Sequence, residues 1–143
     1  MRFWDASAVV PLVIAEAETP ICRALLLEDP EIVVWCLTPV EVMSALARRL
    51  REDVLRLPEF RRAKAQLGLL ERSWAEVTSV EQVRELARRL LETHALRAAG
   101  ALQLASALIV AEHHPRDFPF VTLGQRLSDA AEREGFALLG PDA

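Results

Sequence analysis

Two acidic residues follow apolar runs in this sequence, and both are candidates for binding a metal ion. Asp5 comes directly after a short apolar run, and Glu41 follows the apolar run at residues 32–37. If these runs are neighbouring parallel strands, both carboxylates lie at the edge where open α/β sheets bind ligands. Carboxylates are preferred ligands of hard cations such as Mg²⁺ and Mn²⁺. Such a cation can activate water for attack on a phosphodiester.

The elements that must position these acids follow from the hydrophobic pattern. Short β-like runs alternate with longer helical segments, which is typical of an α/β domain with a mostly parallel sheet. We expect strands before Asp5 and at residues 32–37, 75–78 (an edge strand), 118–123 and 136–139. We expect helices at residues 6–15, 18–27, 58–72, 99–113 and 126–134, and two more that begin near residues 38 and 79. The nearly all-apolar segment 99–113 must be buried.

Composition sets limits on domain number and environment. With 143 residues and 52% hydrophobic content, we expect one domain over residues 1–143. The longest apolar stretches are too short to span a bilayer and no signal peptide is evident, so we expect a cytoplasmic protein that does not contact a membrane. A net charge of −4 argues against bulk non-specific binding to nucleic acid but permits a local basic groove.

Four segments together resemble a known family from one end of the chain to the other. They are FWDASAVV at residues 3–10, LTPVEVMSAL at 37–46, LRAAGALQLASA at 96–107 and FVTLGQRL at 120–127. In order and spacing they are similar to PIN-domain proteins of the VapC toxin type, the ribonuclease half of a toxin–antitoxin pair.

This resemblance implies a PIN-like three-layer α/β/α sandwich with a central, mostly parallel five-stranded sheet. It also implies three or four acids that bind Mg²⁺ or Mn²⁺ and cleave RNA. Asp5 corresponds to the first acid and Glu41 to the second, as catalytic and metal-binding residues. At the third and fourth acid positions this chain has Gly100 and Gly124. Glycine supplies no side-chain ligand, so we expect metal binding and activity to be weakened.

Three further positions matter to the resemblance. Ser7 and Thr122 match its hydroxyl positions, and Gln103 stands three residues after the third acid position, where histidine is often found. The resemblance also implies a homodimer and an antitoxin protein as partner, with RNA as substrate if the protein is active. The alternative is a catalytically inactive PIN-fold protein that retains antitoxin binding, RNA binding or dimerisation.

Purely structural roles compete with these functional ones. Asp5 could simply cap the helix that follows it. Glu41 could be the return half of a capping box in which Thr38 is the N-cap residue. Gly124 follows a strand and could adopt a positive φ, which a residue with a side chain tolerates less well.

Other charged groups offer little replacement for the missing acids. Asp129, Glu92 and His94 are the substitutes nearest in sequence, and none has the right register. Arginines after Glu41 form either a solvated helix face or a rim that attracts RNA phosphate or an acidic antitoxin segment. They are Arg48, Arg49, Arg51, Arg56, Arg61 and Arg62.

Overall fold

The central sheet determines where the candidate acids lie. A computed structural model describes residues 1–112 and 114–141. Its five strands are β1 (Arg2–Trp4), β2 (Ile32–Trp35), β3 (Ala75–Val77), β4 (Phe120–Val121) and β5 (Leu138–Leu139). All neighbouring strands are parallel, in the order β3-β2-β1-β4-β5. The predicted five-stranded sheet and the edge position of β3 are confirmed.

The strand order reverses at β1. From β1 the chain moves outward through β2 to β3, and it then returns to place β4 on the other side of β1. The backbone N–H of Asp5 donates to the carbonyl of Val121 at 3.0 Å, which joins the two strands at their carboxyl ends. Ligands of open α/β sheets bind at such a reversal. The end of β1 is therefore the place in this fold where a site is expected.

Seven α-helices connect and cover the strands in the described ranges. They are α1 (Ala6–Val13), α2 (Thr19–Glu28), α3 (Thr38–Arg51), α4 (Leu57–Ser73), α5 (Val80–Thr93), α6 (Ala98–Val110) and α7 (Gln125–Arg133). A short 3₁₀ turn spans Pro115–Asp117. The predicted helices agree with these bounds within a few residues, and the predicted end of α6 at His113 lies outside the described residues.

The two faces of the sheet carry separate helical layers. Phe3 and Trp4 are adjacent in β1, point to opposite faces and are both 0% exposed. Trp4 packs in the cluster formed with α1–α4, whereas Phe3 packs with α5–α7. Helices α3 and α4 contact each other and α1, so they belong to the first layer. The predicted three-layer α/β/α arrangement is confirmed.

Helix α6 is the buried helix that the sequence predicts. Ala101, Leu104, Ala105 and Ala107 have no exposed surface, and α6 packs against both β2 and α5. Across residues 1–112 and 114–141 no single helix is long and apolar enough to cross a membrane. Helices α5 and α6 meet that criterion only as a pair bent by 117°.

Candidate functional site

Asp5 is held firmly at the end of β1. It is the N-cap residue of α1, as one of the sequence-based alternatives predicts, and only 6% of its surface is exposed. Its Oδ2 atom accepts hydrogen bonds from the Ser7 backbone N–H at 3.3 Å, from the Ser7 hydroxyl, and from the Thr122 hydroxyl at 2.9 Å. Capping and a place in the candidate site are therefore compatible roles of one carboxylate.

The two hydroxyls around Asp5 extend this network across the strand-order reversal. Ser7 Oγ accepts a hydrogen bond from the Leu123 N–H at 3.0 Å. Thr122 Oγ1 accepts one from the Gly124 N–H at 3.1 Å and lies 3.3 Å from Ser7 Oγ. The predicted strand at residues 118–123 is shortened to Phe120–Val121 because Thr122 and the residues after it turn into this network. The network fixes Asp5 relative to both halves of the sheet.

Glu41 does not form the predicted capping box. Helix α3 begins at Thr38 with Leu37 as its N-cap residue, and no side chain caps it. Glu41 Oε1 instead accepts a hydrogen bond from Gln103 Nε2 at 3.1 Å, and the same Nε2 donates to Thr38 Oγ1 at 3.1 Å. The buried amide of Gln103 requires acceptors, and α3 supplies them. The carboxylate of Glu41 thus lies in the first turn of α3 without making a capping hydrogen bond.

The pKa values of both carboxylates are raised, and the main cause in each case is burial. Burial raises the pKa of Asp5 above its usual range, against the opposing hydrogen bonds from Ser7 and Thr122. Burial and then the charge of Asp5 raise the pKa of Glu41 to about 7, and the Gln103 hydrogen bond opposes this shift. Asp5 follows β1 and Glu41 lies in the first turn of the helix after β2, so the parallel pairing of these strands brings both acids to the same edge of the sheet. A divalent cation between them would favour the ionised form of both.

Both glycines at the missing acid positions have room for a Cβ atom. Gly100 lies one turn before Gln103 on the same face of α6, and a Cβ there would meet Leu96 Cδ2 at 3.5 Å. Gly124 has a φ of −84°, so the expectation of a positive φ is wrong. A Cβ at Gly124 would lie 3.6 Å from Thr122 Oγ1. A Cβ atom therefore makes only ordinary van der Waals contacts at either position.

The donor set fits a weakly held Mg²⁺ or Mn²⁺. Within the described ranges, no group of three or more His, Cys, Asp or Glu side chains could hold a metal ion. Asp5 and Glu41 supply two carboxylates, and affinity for such cations increases with the number and charge of the ligands. One buried and one half-buried carboxylate with raised pKa values are a suitable pair for a divalent ion, but they do not fill its coordination shell.

The three substitute residues considered from the sequence lie elsewhere. Asp129 accepts a hydrogen bond from Gln125 at 2.8 Å on the exposed side of α7. The imidazole of His94 lies 3.2 Å from Glu134 Oε1, and Glu92 is exposed on α5. Neither Asp129 nor His94 is directed to Asp5.

An open groove of about 540 Å³ runs beside Glu41. The chemistry of its wall comes from Ser7, Glu16, Glu18, Glu41, Arg48 and Arg49. Glu16 lies in the α1–α2 connection and pairs with Arg49 of α3 at 2.8 Å. The sequence does not single out Glu16, because an acid in a loop carries no periodic signal, or Glu18, because an acid at a helix start is ordinary. Arg48 and Arg49, by contrast, belong to the arginine face that the sequence indicates.

Comparison with solved structures places this architecture among known ones. The chain is similar to FitAcB from Neisseria gonorrhoeae, with 14% identity and a TM-score of 0.63 over 99% of this chain and 98% of that one. It is also similar to FitAB bound to an IR36 DNA fragment, with 17% identity and a TM-score of 0.61 over 99% and 95% of the two chains. The fold is PIN-like. No protein-family model matches the chain, and no curated protein matches its sequence.

Proposed function

We propose that this protein is a toxin-type, metal-dependent endoribonuclease with a weakened metal site. The observation that carries the proposal is the placement of Asp5 and Glu41 after the neighbouring parallel strands β1 and β2, at the strand-order reversal of a PIN-like fold. The end-to-end resemblance to VapC toxins adds the reaction type, and the shared fold of FitAcB and FitAB supports that resemblance.

The residues of the chain have separable tasks in this reaction. When bound, Mg²⁺ or Mn²⁺ would generate a hydroxide nucleophile and stabilise charge on the phosphodiester. Asp5, fixed through Ser7 and Thr122, would hold the ion rigidly. Glu41 would be the second, less constrained ligand. Arg48, on the wall of the same groove, would attract RNA phosphate.

Cleavage of RNA by isosteric variants tests this proposal. We expect slow cleavage with Mn²⁺, which EDTA abolishes, and its loss in Asp5→Asn and Glu41→Gln. Asp129→Asn is the matched control, because it removes an exposed carboxylate on α7. Equal cleavage rates in the unmodified protein and Asp5→Asn would contradict the proposal.

A second candidate function is a non-catalytic PIN-fold protein that binds an antitoxin. Gly100 and Gly124 favour it, because neither supplies a ligand although a Cβ atom fits at each position. An Mn²⁺-dependent cleavage that appears only in Gly100→Asp/Gly124→Asp would support this candidate. Cleavage by the unmodified protein at the rate of the double variant would exclude it.

An antitoxin partner and a homodimer belong to both candidates and come from the family resemblance. Antitoxin binding would be measured by co-expression with candidate partner proteins and co-purification. Sedimentation of the isolated chain at micromolar concentration tests the dimer, and a purely monomeric boundary would contradict it.

A further inference from the structure

Gln103 is a buried polar residue whose cost to the fold has no explanation in packing. Its side chain is 0% exposed in the middle of the apolar helix α6. Its Oε1 atom is buried without a hydrogen-bond partner among the described residues. Buried polar atoms without partners destabilise a fold. An apolar side chain at position 103 would therefore pack α6 against α3 with a smaller loss of stability than Gln103.

The orientation of this amide is set by α3. Thr38 and Glu41 are three residues apart and lie on one face of that helix. Both of their side-chain oxygens are 3.1 Å from Gln103 Nε2, which carries two N–H groups. Rotating the amide by half a turn would bring its oxygen against the carboxylate of Glu41. Gln103 Oε1 is therefore left without a partner because Nε2 must face Glu41 in order to donate to it.

We propose that Gln103 is a positioning residue for divalent-cation binding, which holds the Glu41 carboxylate in place beside Asp5 through a bridge to Thr38. The inference rests on the proposed function, because the cation is the one assigned to the Asp5–Glu41 pair. Groups that hydrogen-bond to a ligating carboxylate fix its orientation and tune its affinity for metal. Gln103 thus contributes to the site from the same face of α6 that carries Gly100, without adding charge.

Two variants of Gln103 separate this role from simple packing between α6 and α3. Gln103→Met keeps the length and shape of the side chain but removes both N–H donors. Gln103→Glu also removes the donors, and it replaces Nε2, which lies 3.1 Å from Glu41 Oε1, by a carboxylate oxygen that can share the cation. A positioning role at the metal site predicts opposite effects on Mn²⁺ affinity, whereas a packing role predicts a loss in both variants.

Calorimetry and electron paramagnetic resonance of Mn²⁺, without RNA, provide the measurement. We expect Gln103→Met to bind Mn²⁺ about 10- to 100-fold more weakly than the unmodified protein. We expect Gln103→Glu to bind at least as tightly as the unmodified protein. Gln82→Met is the matched control on the exposed face of α5, and its affinity should not change.

The outcomes distinguish a failure of the role proposed for Gln103 from a failure of the proposed function. Unchanged affinity in Gln103→Met, or an equal loss in both Gln103 variants, overturns the role of Gln103 and leaves the proposed function standing. No Mn²⁺ binding by the unmodified protein overturns the proposed function together with this inference. If Gln103→Met does not fold, Thr38→Val removes the other end of the bridge and must weaken Mn²⁺ binding.

Discussion

The two carboxylates of the candidate site are held in contrasting ways. Asp5 accepts three hydrogen bonds on Oδ2 from Ser7 and Thr122 and caps α1. Glu41 accepts one side-chain hydrogen bond, from Gln103, and has no part in capping α3. Asp5 is fixed where β1 and β4 meet α1, whereas Glu41 depends on a single hydrogen bond from α6, a helix far away in the sequence.

This difference separates structural from functional contributions. Removing Asp5 breaks a helix cap and a network that spans the sheet, so both stability and metal binding should suffer. Removing Glu41 takes away a half-buried carboxylate whose ionisation is opposed by burial and by the charge of Asp5, so metal binding should suffer alone. A residue whose ionised form is disfavoured by the fold, and which caps nothing, is the stronger candidate for a purely functional role.

The largest expected effect comes from restoring acids on each side of the pair. Gly124→Asp adds a carboxylate near Thr122 on the Asp5 side, and Gly100→Asp adds one on the α6 face that carries Gln103. Because two further ligands complete the cage, the double variant should cleave RNA about 10- to 100-fold faster with Mn²⁺ than the unmodified protein. The single variants then show which side limits activity. No gain in any variant would mean that ligand number does not limit the reaction.

The next effect is a difference in stability. Asp5→Ala should lower the free energy of unfolding by about 1 kcal/mol, the usual effect of losing an N-cap residue. Glu41→Ala should not lower it at pH 8, because the carboxylate it removes is disfavoured by the fold. Urea unfolding at pH 8 measures both changes. Equal destabilisation by the two variants would contradict the expectation that Asp5 stabilises the fold and Glu41 does not.

The pH dependence of stability follows from Glu41. Its pKa of about 7 in the folded protein lies above the ordinary value of 4.5. Between these values the folded state binds more protons than the unfolded state, so stability decreases as pH rises from about 4.5 to 7. Urea unfolding in metal-free buffer at pH 5 and pH 8 should show this loss, and Glu41→Gln should reduce it. If Glu41→Gln loses as much stability between pH 5 and pH 8 as the unmodified protein, other groups cause the pH dependence.

The smallest effect compares two buried threonines. Thr122→Val removes one of three donors to Asp5 Oδ2, so the remaining two keep that carboxylate in place. Thr38→Val removes an acceptor that orients Gln103. We expect both variants to weaken Mn²⁺ binding by less than about tenfold, with Thr38→Val the weaker binder. The reverse order in calorimetry would show that Asp5 is the less constrained ligand.

Much of the fold could be predicted because hydrophobic periodicity is a local property. The alternation of short β-like runs with longer helical segments predicted the α/β domain, and the nearly all-apolar segment 99–113 predicted the buried helix α6. Strand ends were less predictable. The pattern at residues 118–123 indicates a longer strand than the observed Phe120–Val121. Nothing in that pattern shows that Thr122 leaves the sheet and donates a hydrogen bond to Asp5.

By itself, the sequence determined that Asp5 ends the first strand and caps the first helix, since both depend on residues within a few positions of it. It also determined that glycine stands at positions 100 and 124. Only the tertiary structure decided what Glu41 does. The spacing of Thr38 and Glu41 is that of a capping box, but Gln103, 62 residues after Glu41, engages both side chains. A buried amide on α6 must find acceptors, and no pattern local to α3 contains that requirement.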